Sequence, residues 1–188
     1  MRLFPPPRPR KPRSGPLLTV RASPLDPRRG ILAAGPLRIP CALGSSGITS
    51  GKREGDGATP LAEMAVVAAF VRGGRRGGPF RLPGLPLRRA RAEDGWCDEP
   101  GHAAYNRAVR LPLAASAETM QREDALYDVV VVLDWNLRSR ARGRGSAIFF
   151  HIARPGLRPT EGCVAVTRRD MGRLAPFLRP GARMAVRR

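Results

Sequence analysis

The sequence predicts a mainly β fold, a compact sandwich or barrel-like sheet with one or two peripheral helices. Three observations carry that expectation. Glycine and proline number 21 and 20 of 188 residues, so turns are frequent. The apolar runs are short and rich in β-branched or aromatic side chains, as in Tyr127–Leu133 (YDVVVVL) and Ala147–Ala153 (AIFFHIA). Hydrophobic residues make up 42% of the chain, enough for one ordinary domain with its own core but too short a length for two.

In chain order, residues 1–15 are Pro/Arg-rich and poor in apolar side chains, which predicts a flexible tail ahead of a folded domain over 16–188. Leu17–Arg21 and Gly30–Leu43 read as short strands, the second interrupted by Pro36 and Pro40 and so placed at an edge or broken. Gly44–Gly57 is a glycine-rich loop. It is not a phosphate-binding loop, because Ser46 and Arg53 stand where that motif needs glycine and a hydroxyl residue. Thr59–Arg72 has helix signals at Thr59, Pro60 and its alanines, and strand signals at Val66, Val67, Phe70 and Val71; strand is the preferred reading. A Gly/Arg loop at 73–78 and a Pro-punctuated strand within 79–91 follow. Ser116–Leu126 (SAETMQREDAL) is expected to form a short helix capped by Ser116. Tyr127–Leu133 is a buried strand, and Asp134–Gly145 a hairpin loop into the strand that carries His151. Thr167 caps a helix running to about Leu178, and Met184–Val186 supplies a last strand.

The formal net charge is +19, which raises nucleic-acid binding as a role. Of the 34 basic residues only Lys11 and Lys52 are lysine, and the arginines run from Arg2 to Arg188 without the interleaved aromatics that stack bases. No nucleic-acid partner is therefore expected; a basic face serves an anionic polymer such as the cell wall equally well. Three cysteines, Cys41, Cys97 and Cys163, exclude a fully paired disulfide framework. Cys41 lies in an apolar run and is expected in the core. Cys97, His102, His151 and Cys163 are the residue types of a zinc site but lack any tight ligand pair, so no metal is expected. No stretch approaches the ~18 apolar residues of a membrane span, and the basic N-terminus lacks the apolar segment of a secretion signal.

The chemistry-bearing stretch is Ser146–Val166. A strand would fix His151, a loop with Gly156 and Pro159 would fold the chain back, and Cys163 would come near His151. A thiol needs a base to become a thiolate at neutral pH, and imidazole is tuned for that. Gly162 would allow close backbone approach, turning the Cys163 N–H toward a developing oxyanion. The same two residues are equally at home as a buried thiol and a satisfied strand histidine.

Three blocks then resemble the L,D-transpeptidase (YkuD) family. His151, Thr160-Glu161-Gly162-Cys163 and Val164 resemble its active-site signature. The segment from Gly51 to Pro60 (GKREGDGATP) resembles its upstream block, and Gly95-Trp96-Cys97-Asp98 with Tyr105-Asn106 the central block of short bacterial members. Glu161 stands where many members have histidine, Ala165 where many have Arg or Asn, and Ala62 where glycine is usual. The resemblance implies an L,D-transpeptidase catalytic domain that crosslinks peptidoglycan stem peptides in the cell envelope through a cysteine acyl-enzyme, without a cofactor. It implies Cys163 as nucleophile, His151 as base, the Ile152 carbonyl as orienter of the imidazole, and N–H groups at Gly162 and Cys163 as oxyanion donors. Arg154 and Arg158 would hold stem carboxylates or lie solvated. Thr160, Asp98, Tyr105 and Asn106 would bind substrate, or, in the last three, anchor a loop around Trp96. The alternatives are an L,D-carboxypeptidase or amidase on the same scaffold, with water as acceptor, and a catalytically silent basic protein that binds envelope or nucleic acid.

Overall fold

Residues 15–73 and 80–188 are described by a computed structural model. The tail of 1–15 apart from Gly15, and most of the 73–78 loop, lie outside these. Short strands follow one another as the turn residues demand: β1 (Leu17–Ala22), β2 (Arg29–Ala34), β3 (Leu37–Ala42), β4 (Ile48–Thr49), β5 (Thr59–Pro60), β6 (Glu63–Arg72), β7 (Leu87–Ala90), β8 (Asp94–Cys97), β9 (Arg107–Arg110), β10 (Ala117–Thr119), β11 (Val129–Leu133), β12 (Phe149–Ile152) and β13 (Val164–Val166). One helix, α1 (Arg168–Leu174), precedes the last strand, β14 (Arg183–Arg187). The large sheet runs β11-β12-β13-β3-β2-β1-β14-β6-β7, and β6 also pairs with β11, which closes it into a barrel. A second sheet, β10-β8-β9, lies outside that ring.

The pairing explains the sequence of β11. All five of its residues are buried because both faces of the sheet are covered. Val129, Val131 and Leu133 enter the barrel interior with Leu18, Val20, Ile39, Phe150, Val164 and Val166, and α1 adds Met171 and Leu174. Val130 and Val132 face the other way, into a second cluster with Phe70, Trp96, Met120, Tyr127, Phe149 and Cys163. Trp96 meets Phe149 edge-on at 5.1 Å, so the small sheet is anchored by an aromatic contact.

Most expected elements are present. Gly30–Leu43 is broken into a hairpin at Gly35 and Pro36, and Thr59–Arg72 is strand. One expectation is corrected. Ser116–Leu126 is not a helix: Ala117–Thr119 pairs with β8, and a single 3-10 turn, Ala125–Tyr127, follows with Asp124 as its cap. Met120 and Leu126 are six residues apart, off the helical period, so no helix face could bury both, whereas strand pairing buries Met120. The chain between His151 and Cys163 does fold back, as a crossover between parallel strands. β12 and β13 are parallel, and the loop carries the chain back to the start of the next strand.

Candidate active site

The Thr160–Cys163 turn is held by its own threonine. Thr160 Oγ1 donates to the Cys163 carbonyl at 2.7 Å and accepts from the Gly162 N–H at 3.2 Å. Its backbone bonds to Leu43 and Ser45, fixing the turn to the end of β3. Gly162 has φ +128°, and a Cβ there would stand 2.8 Å from the Ala58 carbonyl oxygen. Both facts demand glycine. The Cys163 side chain that emerges is 8% exposed. Its Sγ accepts from the Phe149 N–H at 3.3 Å and donates to the Ala147 carbonyl at 3.3 Å, so the bonds suit a protonated thiol. Burial pushes this thiol up to about 12, with the Glu118 carboxylate adding to the effect; the Phe149 N–H and the Lys52 ammonium act against it.

His151, 6% exposed, sits on β12 opposite Ala165 of β13. Cys163 lies two residues before Ala165, and residues two apart share a strand face, so thiol and imidazole issue from one face of adjacent strands. His151 Nδ1 is 2.9 Å from the Ile152 carbonyl oxygen. A carbonyl only accepts, so Nδ1 carries the proton. Burial lowers the imidazole to about 4, against which the Ile152 bond works, and the ring is neutral at pH 7. Nε2 is then the bare nitrogen, the form a general base needs.

Two residues that the sequence reading did not select complete this face. Tyr127 packs edge-on against the His151 ring at 5.3 Å, and its hydroxyl donates to Glu118. Glu118 is in turn pushed above the usual carboxylate range by burial, with the Tyr127 bond and Arg122 opposing. Arg122 lies over the Tyr127 ring and pairs with Asp124 at 2.9 Å. Tyr127 was legible as the polar-tipped start of a valine run; Glu118 was hidden by the mistaken helix.

The remaining expected site residues divide. Tyr105 and Asn106 are buried and join loops: Tyr105 donates to Glu54, and Asn106 Nδ2 donates to the Trp135 carbonyl at 3.0 Å. Asn106 Oδ1 accepts from Trp96 Nε1 at 3.0 Å and from the Ala147 N–H at 3.1 Å, so it steadies the residue whose carbonyl receives the thiol. Asp98 has a buried Oδ1 with no hydrogen-bond partner. Arg154 and Arg158 are exposed on the connecting loop, and Glu161 is exposed as well. Among the described residues no group of three or more His, Cys, Asp or Glu side chains is arranged to hold a metal ion; Cys97 Sγ meets His102 Nδ1 at 3.6 Å. Cys41 is fully buried in the barrel core. Among the described residues no helix is long and apolar enough to cross a membrane.

The structure is similar to L,D-transpeptidase 1 of Mycobacterium tuberculosis, with 12% identity, TM-score 0.40, and coverage of 93% of this chain and 63% of that one. An L,D-transpeptidase from Mycobacterium smegmatis gives 11%, 0.42, 93% and 59%. L,D-transpeptidase 3 of M. tuberculosis, solved with a faropenem-derived adduct, gives 14%, 0.42, 93% and 61%. The chain thus spans about 60% of the length of these proteins. No curated protein sequence matches it. The assignment rests on the family match, which covers residues 33–186, from the β2–β3 hairpin through the His151 and Cys163 strands to β14. On that match the chain belongs to the YkuD family, the L,D-transpeptidase catalytic domain.

Proposed function

We propose that the protein crosslinks peptidoglycan stem peptides in the cell envelope by two-step acyl transfer, with 16–188 as the catalytic domain. The observation that supports this most is a neutral imidazole with bare Nε2 on the same strand face as a buried thiol. Cys163 at about 12 and His151 at about 4 are far from forming a resting ion pair. Proton transfer therefore accompanies attack. The thiol proton passes to His151 Nε2 as sulfur bonds to the stem carbonyl carbon between the third and fourth residues. The Gly162 N–H is engaged with Thr160, so the Cys163 N–H is the donor of that pair assigned to the oxyanion. The tetrahedral intermediate expels the terminal D-amino acid, whose amine takes the proton from His151, leaving a thioester. A side-chain amine of a second stem then attacks the thioester. His151 accepts its proton and returns it to the Cys163 sulfur as the new amide forms. Thr160 keeps the turn in shape, the half-buried Asp98 carboxylate contacts substrate, and Arg154 and Arg158 meet stem carboxylates.

Incubation with imipenem, the ligand of one L,D-transpeptidase structure, followed by intact mass, tests the nucleophile. A single adduct on wild type and none on Cys163→Ala is expected. No adduct on either sinks the acyl-enzyme. Tetrapeptide stems with and without an acceptor amine then separate crosslinking from water-accepting carboxypeptidase action.

A further inference from the structure

The segment from Lys52 to Ala58 packs against the back of the nucleophile turn, and its lysine is in an unusual place. Lys52 is 3% exposed, a burial that lysine reaches almost only when paired. Its stem packs where a Cβ on Gly145 would stand, with Cγ and Cε each 3.0 Å from that point. Its Nζ is 3.4 Å from where a Cβ on Gly162 would stand, so the ammonium abuts the residue before the nucleophile. Nζ donates to Asp56 and, at 3.0 Å, to the Arg53 carbonyl, which occupies two of its three N–H groups. Asp56 also accepts from the Arg53 N–H at 2.7 Å and the Ala58 N–H at 2.9 Å, and the Ala58 carbonyl meets the same face of Gly162.

We propose that Lys52 is a positioning residue for the transfer reaction, holding a buried positive charge behind the Gly162–Cys163 turn that stabilises the negative charge developing on sulfur as its proton leaves. The inference deepens the reading of Cys163 as nucleophile and rests on it. Asp56 does not cancel the effect, because its carboxylate is 23% exposed and partly screened by water, whereas the ammonium is not. The charged and titratable groups around Cys163 come from several elements. Glu118 on β10, Tyr127 before β11 and Glu161 in the turn all disfavour a negative sulfur or are themselves disfavoured beside one; His151 on β12 is neutral. Lys52 acts in the opposite sense to both glutamates.

The test is the rate of Cys163 alkylation by iodoacetamide between pH 7 and 9, read by peptide mass mapping so that Cys41 and Cys97 do not contribute. Lys52→Gln is expected to lower the rate about tenfold at every pH, displacing the log rate–pH line downward without changing its slope. Asp56→Asn removes the counter-charge and keeps the cation, so it is expected to leave the rate unchanged or raise it. Melting curves of both variants record how far each loosens the loop. Slowing in Lys52→Gln with an unchanged or raised rate in Asp56→Asn, at similar melting temperature, supports the charge; slowing by Asp56→Asn as large or larger overturns it. Equal slowing by both variants, in step with equal loss of melting temperature, overturns it in favour of a loop clamp, as does an unchanged rate in Lys52→Gln. A wild type that alkylates normally yet takes no imipenem would instead defeat the acyl-transfer reading, and the Lys52 effect would still be legible.

Discussion

The strands β12 and β13 present two faces that differ in kind. Toward the barrel interior they send Phe150, Val164 and Val166, all fully buried among aliphatic side chains and α1. Toward the small sheet they send Phe149, His151 and Cys163; His151 Nδ1 is bonded to the Ile152 carbonyl, and the Cys163 sulfur to the Ala147 carbonyl and the Phe149 N–H. The first face needs only volume and shape; the second needs directed bonds in a low-dielectric setting. Alternate residues of one segment thus serve as scaffold and as the proposed site. Two of the three buried thiols make the same point. Burial pushes both Cys41 and Cys163 to about 12, so a raised thiol does not mark a nucleophile. What differs is the neighbourhood: Cys41 lies against Gly30 and Leu43 in the barrel, and Cys163 shares its strand face with an imidazole.

Substitutions on the two faces should separate cleanly. His151→Gln is expected to lower acylation by about 10²–10⁴-fold, the usual worth of a general base, while leaving the fold intact. Single-turnover mass spectrometry with imipenem measures it, and a loss under tenfold would remove His151 from the base role. Phe150→Ala, one residue earlier, should do the reverse. It leaves a cavity in the barrel and costs about 3–5 kcal/mol, read as a lower urea midpoint. A loss below about 1 kcal/mol would mean that the interior is far less tightly packed than its full burial implies.

Acid should weaken the fold through the polar face. The imidazole titrates at 6.5 when unperturbed and about 4 in the fold. Between those values the unfolded chain binds a proton that the folded chain refuses, so stability rises with pH across this window. The contribution is complete above about 6.5 and is lost as pH falls toward 4, on the order of 3 kcal/mol in all. Carboxylates held low by partners, such as Asp56 and Asp124, add acid losses of their own. The informative quantity is the difference between wild type and His151→Gln in urea midpoint at pH 7 and pH 4.5. If the two fall by the same amount, the buried imidazole is not the cause.

The interior face was far more legible in the sequence than the polar one. Tyr127–Leu133 and the hairpin into β12 follow from β-branched runs and turn residues, and Thr167 marks α1 because a cap acts over three residues. Local signals of that kind survive folding. The parallel pairing of β12 with β13 is not local, and nothing in the loop between them distinguishes a crossover from a hairpin. Ser116–Leu126 carries real helix signals that the edge of β8 overrides, a case of tertiary pairing outweighing propensity. Lys52 and Glu118 escaped for a related reason. Charged residues are read as solvated by default, and only the packed structure shows one behind Gly162 and the other bonded to Tyr127. His151 and Cys163 stood out as candidates through their motif, and the Ile152 contact that the motif implies is present.

The smallest effect expected lies where the two faces meet the chain's geometry, at Ala147. This residue has φ +51°, a left-handed conformation that disfavours any side chain beyond glycine, and its carbonyl accepts the Cys163 thiol. Asn106 Oδ1 holds its N–H, so the strained peptide is fixed from the Trp96 side. Ala147→Gly removes the steric conflict but also frees the unfolded chain, and these terms oppose each other. A net gain of about 0.5 kcal/mol in stability is therefore expected. Activity should move the other way, by a few-fold, because a glycine there lets the carbonyl drift from the sulfur. Urea denaturation and imipenem acylation on the same preparation measure the two. A variant that is both more stable and equally fast would show that the left-handed alanine is an accident of the hairpin. A variant that is more stable and slower would show that the strain aligns the thiol.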